Sequence, residues 1–319
     1  VVFNYCCVWA LGGPLGSSDD GIDFRAMMSD YWTGQWSNVK FPKKGAASTV
    51  FDYYLDPKTN EFEQWSKSPY FYSIDYDPAT MNMGAITVPT SDTCSVAFWM
   101  TDLVKAHRPV MLAGPSGTGK TQQVMGMLKA MDPAVTVSAT INFNFYTTSA
   151  VLGTTMCLPL EKKTGTNFGP PGIAHLVYFV DDLNLPEVDK YMTQSAIALL
   201  RQQMEYGHIY DMTKLAQNPV KSISKTQVVA CMNPGAGSFF INPRLQRWFV
   251  TFAIGMPQRA SLNVIYDTFL NGHLSRGFAE EVLALKDSVI KGAMNLHGEV
   301  MGKFRKTAAN FHYEFNIRH

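Results

Sequence analysis

An excess of charge of either sign is what this 319-residue sequence most conspicuously lacks: 27 Lys and Arg stand against 26 Asp and Glu, for a formal net charge of +1. So even a balance supplies no field to hold a polyanion or an acidic bilayer, which argues against nucleic acid and membrane surfaces as partners. Cysteine is scarce as well. The five (Cys6, Cys7, Cys94, Cys157 and Cys231) are odd in number and include no CxxC pair, which argues against a disulfide scaffold or cysteine-rich zinc site and favours a reducing compartment. Long apolar runs are missing too. The opening VVFNYCCVWALGG has no basic flank and stops at Gly12 and Gly13, short of the ~20 residues that span a bilayer. There is no initiator Met, so a piece of a longer chain is expected. His107, His175, His208 and His273 have no partners at metal-ligand spacing.

What is present is apolar. With 46% hydrophobic and 17% charged residues, the chain has enough material to bury one or two sizeable cores. Short runs at 135–141, 176–181, 227–232 and 248–254 are rich in β-branched or aromatic residues and mostly do not alternate with polar ones. Such runs predict parallel strands covered on both faces. Helical patterns at 147–156 and 192–206 lie between them, so a doubly wound α/β layer is expected, although element order alone leaves a barrel open. Upstream, helices are predicted near 1–11 and 20–31. Aromatic–polar alternation around Asp56 to Asn60 predicts a two-stranded hairpin, and a helix capped by Thr90 or Asp92 should follow. Beyond Pro257 helices are expected at 260–270 and 274–295, with a last helical segment from about Phe311.

The apolar run PVMLA leads into Gly114-Pro115-Ser116-Gly117-Thr118-Gly119-Lys120-Thr121 and then into a helical stretch. This is a complete GxxxxGK[ST] pattern in the strand, loop, helix order that a phosphate loop requires. Its glycines let successive N–H groups curl around a β-phosphate, and the following helix points its N-terminus at the same charge. Lys120 is expected to reach the β and γ oxygens, and the Thr121 hydroxyl to sit on magnesium.

The stretch HLVYFVDDLN supplies the acidic half. Asp181 ends an apolar run and is placed to hold the magnesium through water, while Asp182 is the candidate general base. Two aspartates after a strand also make a turn or a helix cap, so both readings stand. Asn233 closes VVACM ahead of Pro234, where it either orients a water or caps the following loop. Arg244 and Arg247 stand i and i+3 apart in NPRLQRWF. An arginine there completes a neighbour's phosphate site in trans, or is a plain surface charge. Arg318, in HYEFNIRH, is a candidate to swing over the γ-phosphate from a helical lid.

In this order the elements resemble an AAA+ ATPase module. FGPP at 168–171, FVDDLNLP at 179–186, YMTQ at 191–194, LLRQ at 199–202 and GHIYD at 207–211 resemble the third AAA module of a dynein heavy chain of the axonemal kind. TVFDYYLD from Thr49 and FHYEFNIR from Phe311 match further landmarks, so the resemblance covers nearly the whole chain.

The resemblance implies an α/β fold, an AAA+ P-loop NTPase large domain with a parallel sheet followed by a partial helical small domain. Residues 1–35 would be the helical tail of the preceding module, 36–88 an N-terminal hairpin and linker, 89–257 the large domain and 258–319 the partial lid. It implies ATP or ADP with Mg2+ on the Walker A loop (114–121) and the Walker B pair Asp181 and Asp182. Asn233 would be the first sensor, Arg318 the second, and Arg244 or Arg247 the finger reaching the preceding module's nucleotide. The implied partners are neighbouring AAA+ modules of the same heavy chain and, through the full motor, microtubules and dynein accessory chains. The implied setting is the cytoskeleton of the cytoplasm and of a cilium or flagellum axoneme. A regulatory role follows, nucleotide state gating motor activity; the alternative is a nucleotide-binding structural module without significant hydrolysis. Two departures matter. The link Gly172-Ile173-Ala174-His175 lacks the basic residues often found there, and Asp182 stands where many active AAA+ proteins have Glu, which leaves the hydrolysis rate open.

Overall fold

The computed structural model describes residues 1–17, 21–36, 38–42, 48–217, 219–235, 241–313 and 315–318. Two helices, α1 (Val2–Gly12) and α2 (Phe24–Gln35), open the chain. Asp23 caps α2 by accepting from the Arg25 and Ala26 amides at 2.9 and 3.1 Å, so the helix starts later than the apolar spacing predicts; the expected start at Asp20 lies outside the described residues. The predicted hairpin is β1 (Tyr53–Leu55) paired antiparallel with β2 (Phe62–Gln64) across the Asp56 to Asn60 turn. Helix α3 (Ser91–Lys105) follows, and of the two candidate caps Thr90 is the one used, in a reciprocal capping box with Thr93.

The α/β layer runs β3 (Val110–Ala113), α4 (Lys120–Ala130), β4 (Thr136–Asn142), α5 (Ser149–Cys157), β5 (Glu161–Lys162), β6 (Asn167–Gly169), β7 (His175–Asp181) and α6 (Ser195–Tyr206). It continues through β8 (His208–Tyr210), β9 (Val220–Ile223), β10 (Thr226–Met232), α7 (Pro243–Gln246) and β11 (Val250–Ala253). Five strands form one sheet in the order β11-β3-β10-β7-β4, with every pairing parallel.

The non-alternating runs now have a cause. Val177 and Phe179 of β7 point into one core with α1, α3 and α4, whereas Leu176, Tyr178 and Val180 point into another with α5 and α6. A strand covered on both faces has no polar side. The expected open sheet is therefore present, and the barrel alternative is not.

Trp9 of α1 joins the N-terminal helices to this layer. Its ring lies 5.4 Å from Phe51, 6.1 Å from Trp65, 5.9 Å from Trp99 and 6.4 Å from Phe252 of β11. The Trp65 indole N–H donates to the Phe51 carbonyl at 2.8 Å, closing the hairpin onto the same cluster.

Three differences from the sequence reading stand out. A small sheet, β5-β6-β9-β8, was not expected from the sequence, because strands of two to four residues carry too little pattern. After α8 (Arg259–Leu274), the helix expected at 274–295 is split into α9 (Glu280–Ala284) and α10 (Lys286–Lys303). Gly277, at φ +88, holds the start of α9 back from the expected 274, and the break between α9 and α10 falls at Leu285. The last helical segment expected near Phe311 is instead a run of turns in the described residues 311–313 and 315–318. There Tyr313 and Phe315 pack on Phe304 at 5.7 and 6.4 Å, a cluster that a regular helix would pull apart.

Candidate functional site

In a parallel sheet all strands end on one edge, and ligands gather there. Here that edge carries Ala113, Asp181, Met232 and Ala253, the last residues of β3, β7, β10 and β11.

The loop from Gly114 to Gly119 leaves β3 and enters α4. Gly117 and Gly119 both sit at φ +82, where L side chains are rarely found. Gly114 is required for a different reason: a Cβ there would lie 2.0 Å from the carbonyl oxygen of Ile254. The loop is thereby shaped so that backbone N–H groups, without side chains in front of them, approach an anion at the start of α4.

Lys120 is buried, with its ammonium drawn over the loop: Nζ donates to the carbonyls of Gly114 at 2.8 Å and Pro115 at 2.6 Å. Burial lowers its pKa, and the nearby charge of Arg318 adds to that, while Cys231, Asp181 and Asp182 oppose it. Thr121 Oγ1 donates to Asp181 Oδ2 at 2.8 Å. A hydroxyl and a carboxylate thus meet from the first turn of α4 and the end of β7, although β10 lies between β7 and β3.

Asp182 has a left-handed backbone, φ +54, and its amide donates to Asp181 Oδ1 at 3.1 Å. Its carboxyl is pushed above the ordinary aspartate value, first by burial and then by Asp181; Lys120 and Arg318 pull the other way. Asn233 stands at the end of β10. Its side-chain oxygen accepts from the Gly235 amide at 3.1 Å, and its carbonyl accepts from the buried Asn184 amide at 2.9 Å.

The C-terminal turns reach the same place. The Asn316 side chain lies 3.1 Å from where a Cβ on Gly117 would stand, and Arg318 bears electrostatically on Lys120 and Asp182. Arg244 and Arg247 are elsewhere. They precede β11, whose first residue pairs with the first residue of β3, so they flank the sheet end away from the loop. Arg247 pairs with Glu205 of α6 at 3.0 Å and lies 5.7 Å from the Trp248 ring centre, while Arg244 is exposed and its side chain has no polar partner among the described residues.

Sequence reasoning missed the supports. Asn184 ties the loop after β7 to that after β10, and buried Gln194 donates to the Pro186 carbonyl at 2.7 Å. For Asn184 the available signal was its place between Leu183 and Leu185. A cavity of about 410 Å3 adjoins the loop; its lining includes Ile86 to Val88, Gly117 to Gly119, Leu262 and Ile265 of α8, and Ile317, together with Arg25 and Asp92. Its size, the bare loop amides and the Thr121–Asp181 oxygen pair suit a magnesium-bound nucleotide, since Mg2+ takes one or two protein oxygens plus phosphate rather than an all-protein cage.

Comparison with known proteins agrees with this geometry. Residues 75–257 match the family model of the P-loop containing dynein motor region. The chain belongs to that dynein family. Residues 1–67 match the dynein heavy chain AAA lid domain, a span that groups the hairpin with the two helices before it. Among dynein relatives, the chain is 43% identical over 318 residues to the dynein alpha chain of the flagellar outer arm of Chlamydomonas reinhardtii. It is likewise 43% identical over 318 residues to dynein axonemal heavy chain 9 of Homo sapiens, and 41% over 317 residues to the ciliary dynein beta chain of Heliocidaris crassispina. Each alignment covers 99% of this chain and 7% of the relative. The chain therefore spans a small part of the length of these dyneins.

Proposed function

We propose that the chain is the third AAA+ module of an axonemal dynein heavy chain, with the lid of the preceding module at its N-terminus, and that it binds ATP or ADP with Mg2+ to gate the motor. The Thr121–Asp181 hydrogen bond carries this reading, because it assembles the two oxygen ligands expected of a magnesium site beside a phosphate loop. In this assignment residues 89–257 form the large domain and 258–319 the start of the small one. The names of the relatives, flagellar, ciliary and axonemal, support a place in the cytoskeleton of a cilium or flagellum, with microtubules, accessory chains and neighbouring modules as partners.

With nucleotide bound, the loop amides and Lys120 would hold the phosphates, and Thr121 and Asp181 would hold the magnesium ion, which would supply charge neutralisation there. Asp182 orients the attacking water, and Arg318 reads the γ-phosphate from above. Asn233 spans the gap as a sensor when its bond to the Gly235 amide is exchanged for one to water or phosphate. Arg244, whose side chain has no polar partner among the described residues, is the better trans finger than Arg247, which Glu205 holds. The left-handed turn and short side chain of Asp182 favour slow turnover, which suits a gate more than an engine.

The test is made in the intact motor. Lys120→Ala should weaken nucleotide binding at this module and alter microtubule release; unchanged release rejects the gating role.

A further inference from the structure

Arg25 is a partly buried arginine whose bonds are made to main chain far away in sequence. Its Nη2 donates to the Gly13 carbonyl at 3.0 Å and to the Ala253 carbonyl at 3.1 Å. The guanidinium carbon lies 5.4 Å from the Phe51 ring centre and 6.0 Å from that of Trp9, a stacked position that Lys fills poorly. Burial lowers its pKa, opposed by the carboxylates of Asp92, Asp23 and Asp52. Asp92 also accepts from the Ser261 hydroxyl of α8 at 3.0 Å, so the N-terminal helices, α3 and the C-terminal helices meet around this one cation.

What Arg25 grips leads to the phosphate loop. The Ala253 amide donates to the Gly13 carbonyl at 2.8 Å, so the end of β11 is fastened to the corner after α1 from both of its polar groups. The next amide, of Ile254, donates to the Ala113 carbonyl at 2.7 Å, and the Ile254 carbonyl is the atom against which Gly114 packs. A displacement at Gly13 and Arg25 therefore reaches the first residue of the loop through the 253–254 peptide, hydrogen-bonded on both sides, and the close packing of the Ile254 carbonyl on Gly114.

We propose that Arg25 is a positioning residue for the phosphate loop, transmitting the placement of the N-terminal lid segment through Ala253 and Ile254 to Gly114. Its effect on nucleotide rests on the function proposed above; its effect on the loop does not. The lid of one unit would then set the nucleotide affinity of the next through the main chain that carries the loop.

The test is peptide-resolved hydrogen–deuterium exchange on the complete chain, with and without Mg-ADP, for wild type, Arg25→Ala and Arg25→Lys. Without nucleotide, amides at 110–119 and at Ile254 should exchange about tenfold faster in Arg25→Ala than in wild type, as a local opening. The ADP concentration giving half-protection of 110–119 should rise about tenfold in Arg25→Ala. Arg25→Lys, which keeps the charge but is shorter and loses the planar guanidinium beside Phe51 and Trp9, should fall between the two. Wild-type exchange at 110–119 in both variants overturns the proposal, as does faster exchange spread evenly over the sheet, which would mark a purely structural role. If the wild-type loop peptide does not respond to Mg-ADP, the proposed function fails, and the nucleotide-free comparison still decides the role of Arg25.

Discussion

Thr121 and Asp181, 60 residues apart in sequence, are joined by a 2.8 Å hydrogen bond from hydroxyl to carboxylate. The bond holds the Asp181 carboxylate at the mouth of α4 and keeps one oxygen pair convergent. Thr121→Val preserves volume and removes the hydroxyl. It should erase the difference in nucleotide affinity measured with magnesium and with EDTA, while leaving magnesium-free binding in place. A persisting magnesium effect would place the ion on other ligands.

Lys120 and Asp182 should separate binding from turnover. Lys120 contributes charge-assisted bonds of about 1.5–3 kcal/mol, so Lys120→Ala should weaken Mg-ADP binding by roughly 10- to 100-fold in a fluorescent-nucleotide titration. Asp182→Asn leaves the loop untouched and should bind normally while slowing any steady-state phosphate release. Equal affinity of wild type and Lys120→Ala would remove the phosphate role.

The parts of this site that follow a local rule were legible in the sequence. The loop has a fixed spacing of glycines before a lysine, and β7 and β10 are unbroken apolar runs because helices cover both faces of the sheet. Thr90 was one of two nameable caps for the same reason: capping is decided within four residues. The remainder depends on contacts between distant segments. Nothing near Arg25 in sequence announces that its partners are Gly13 and Ala253, and the strands of the small sheet are too short to show a period. The break at Gly277 was visible as a glycine, but a helix tolerates an isolated glycine, and only the backbone angle reveals the stop.

Gly114 should be far less replaceable than its place in a variable-looking turn suggests. An alanine Cβ would meet backbone rather than a movable side chain, 2.0 Å from the Ile254 oxygen. The loop or the end of β11 would have to shift, at an overpacking cost of about 1–3 kcal/mol. Gly34, inside α2, has nothing within 4 Å of the same position, and Gly34→Ala should be neutral or stabilising by about 0.5–1 kcal/mol. Urea midpoints of the two variants should therefore move in opposite directions or differ clearly; a Gly114→Ala midpoint equal to wild type would show that the Ile254 contact yields freely.

His175 gives the fold an acid-sensitive point away from the loop. Its ring stacks on His107 with centroids 4.0 Å apart, and Nδ1 is buried with no hydrogen-bond partner among the described residues. Burial, then the charges of His107 and Lys225, lowers its pKa from 6.5 to about 4. Between those values the unfolded chain takes up a proton that the folded chain refuses, so stability is full above pH 6.5 and declines as pH falls toward 4. His175→Phe keeps a flat ring against His107 but removes the titration. Denaturation midpoints followed from pH 7.5 down to 4.5 should fall less steeply for the variant than for wild type. Parallel curves would mean that the His175 proton is taken up equally in both states, and that other groups carry the acid sensitivity of the sheet.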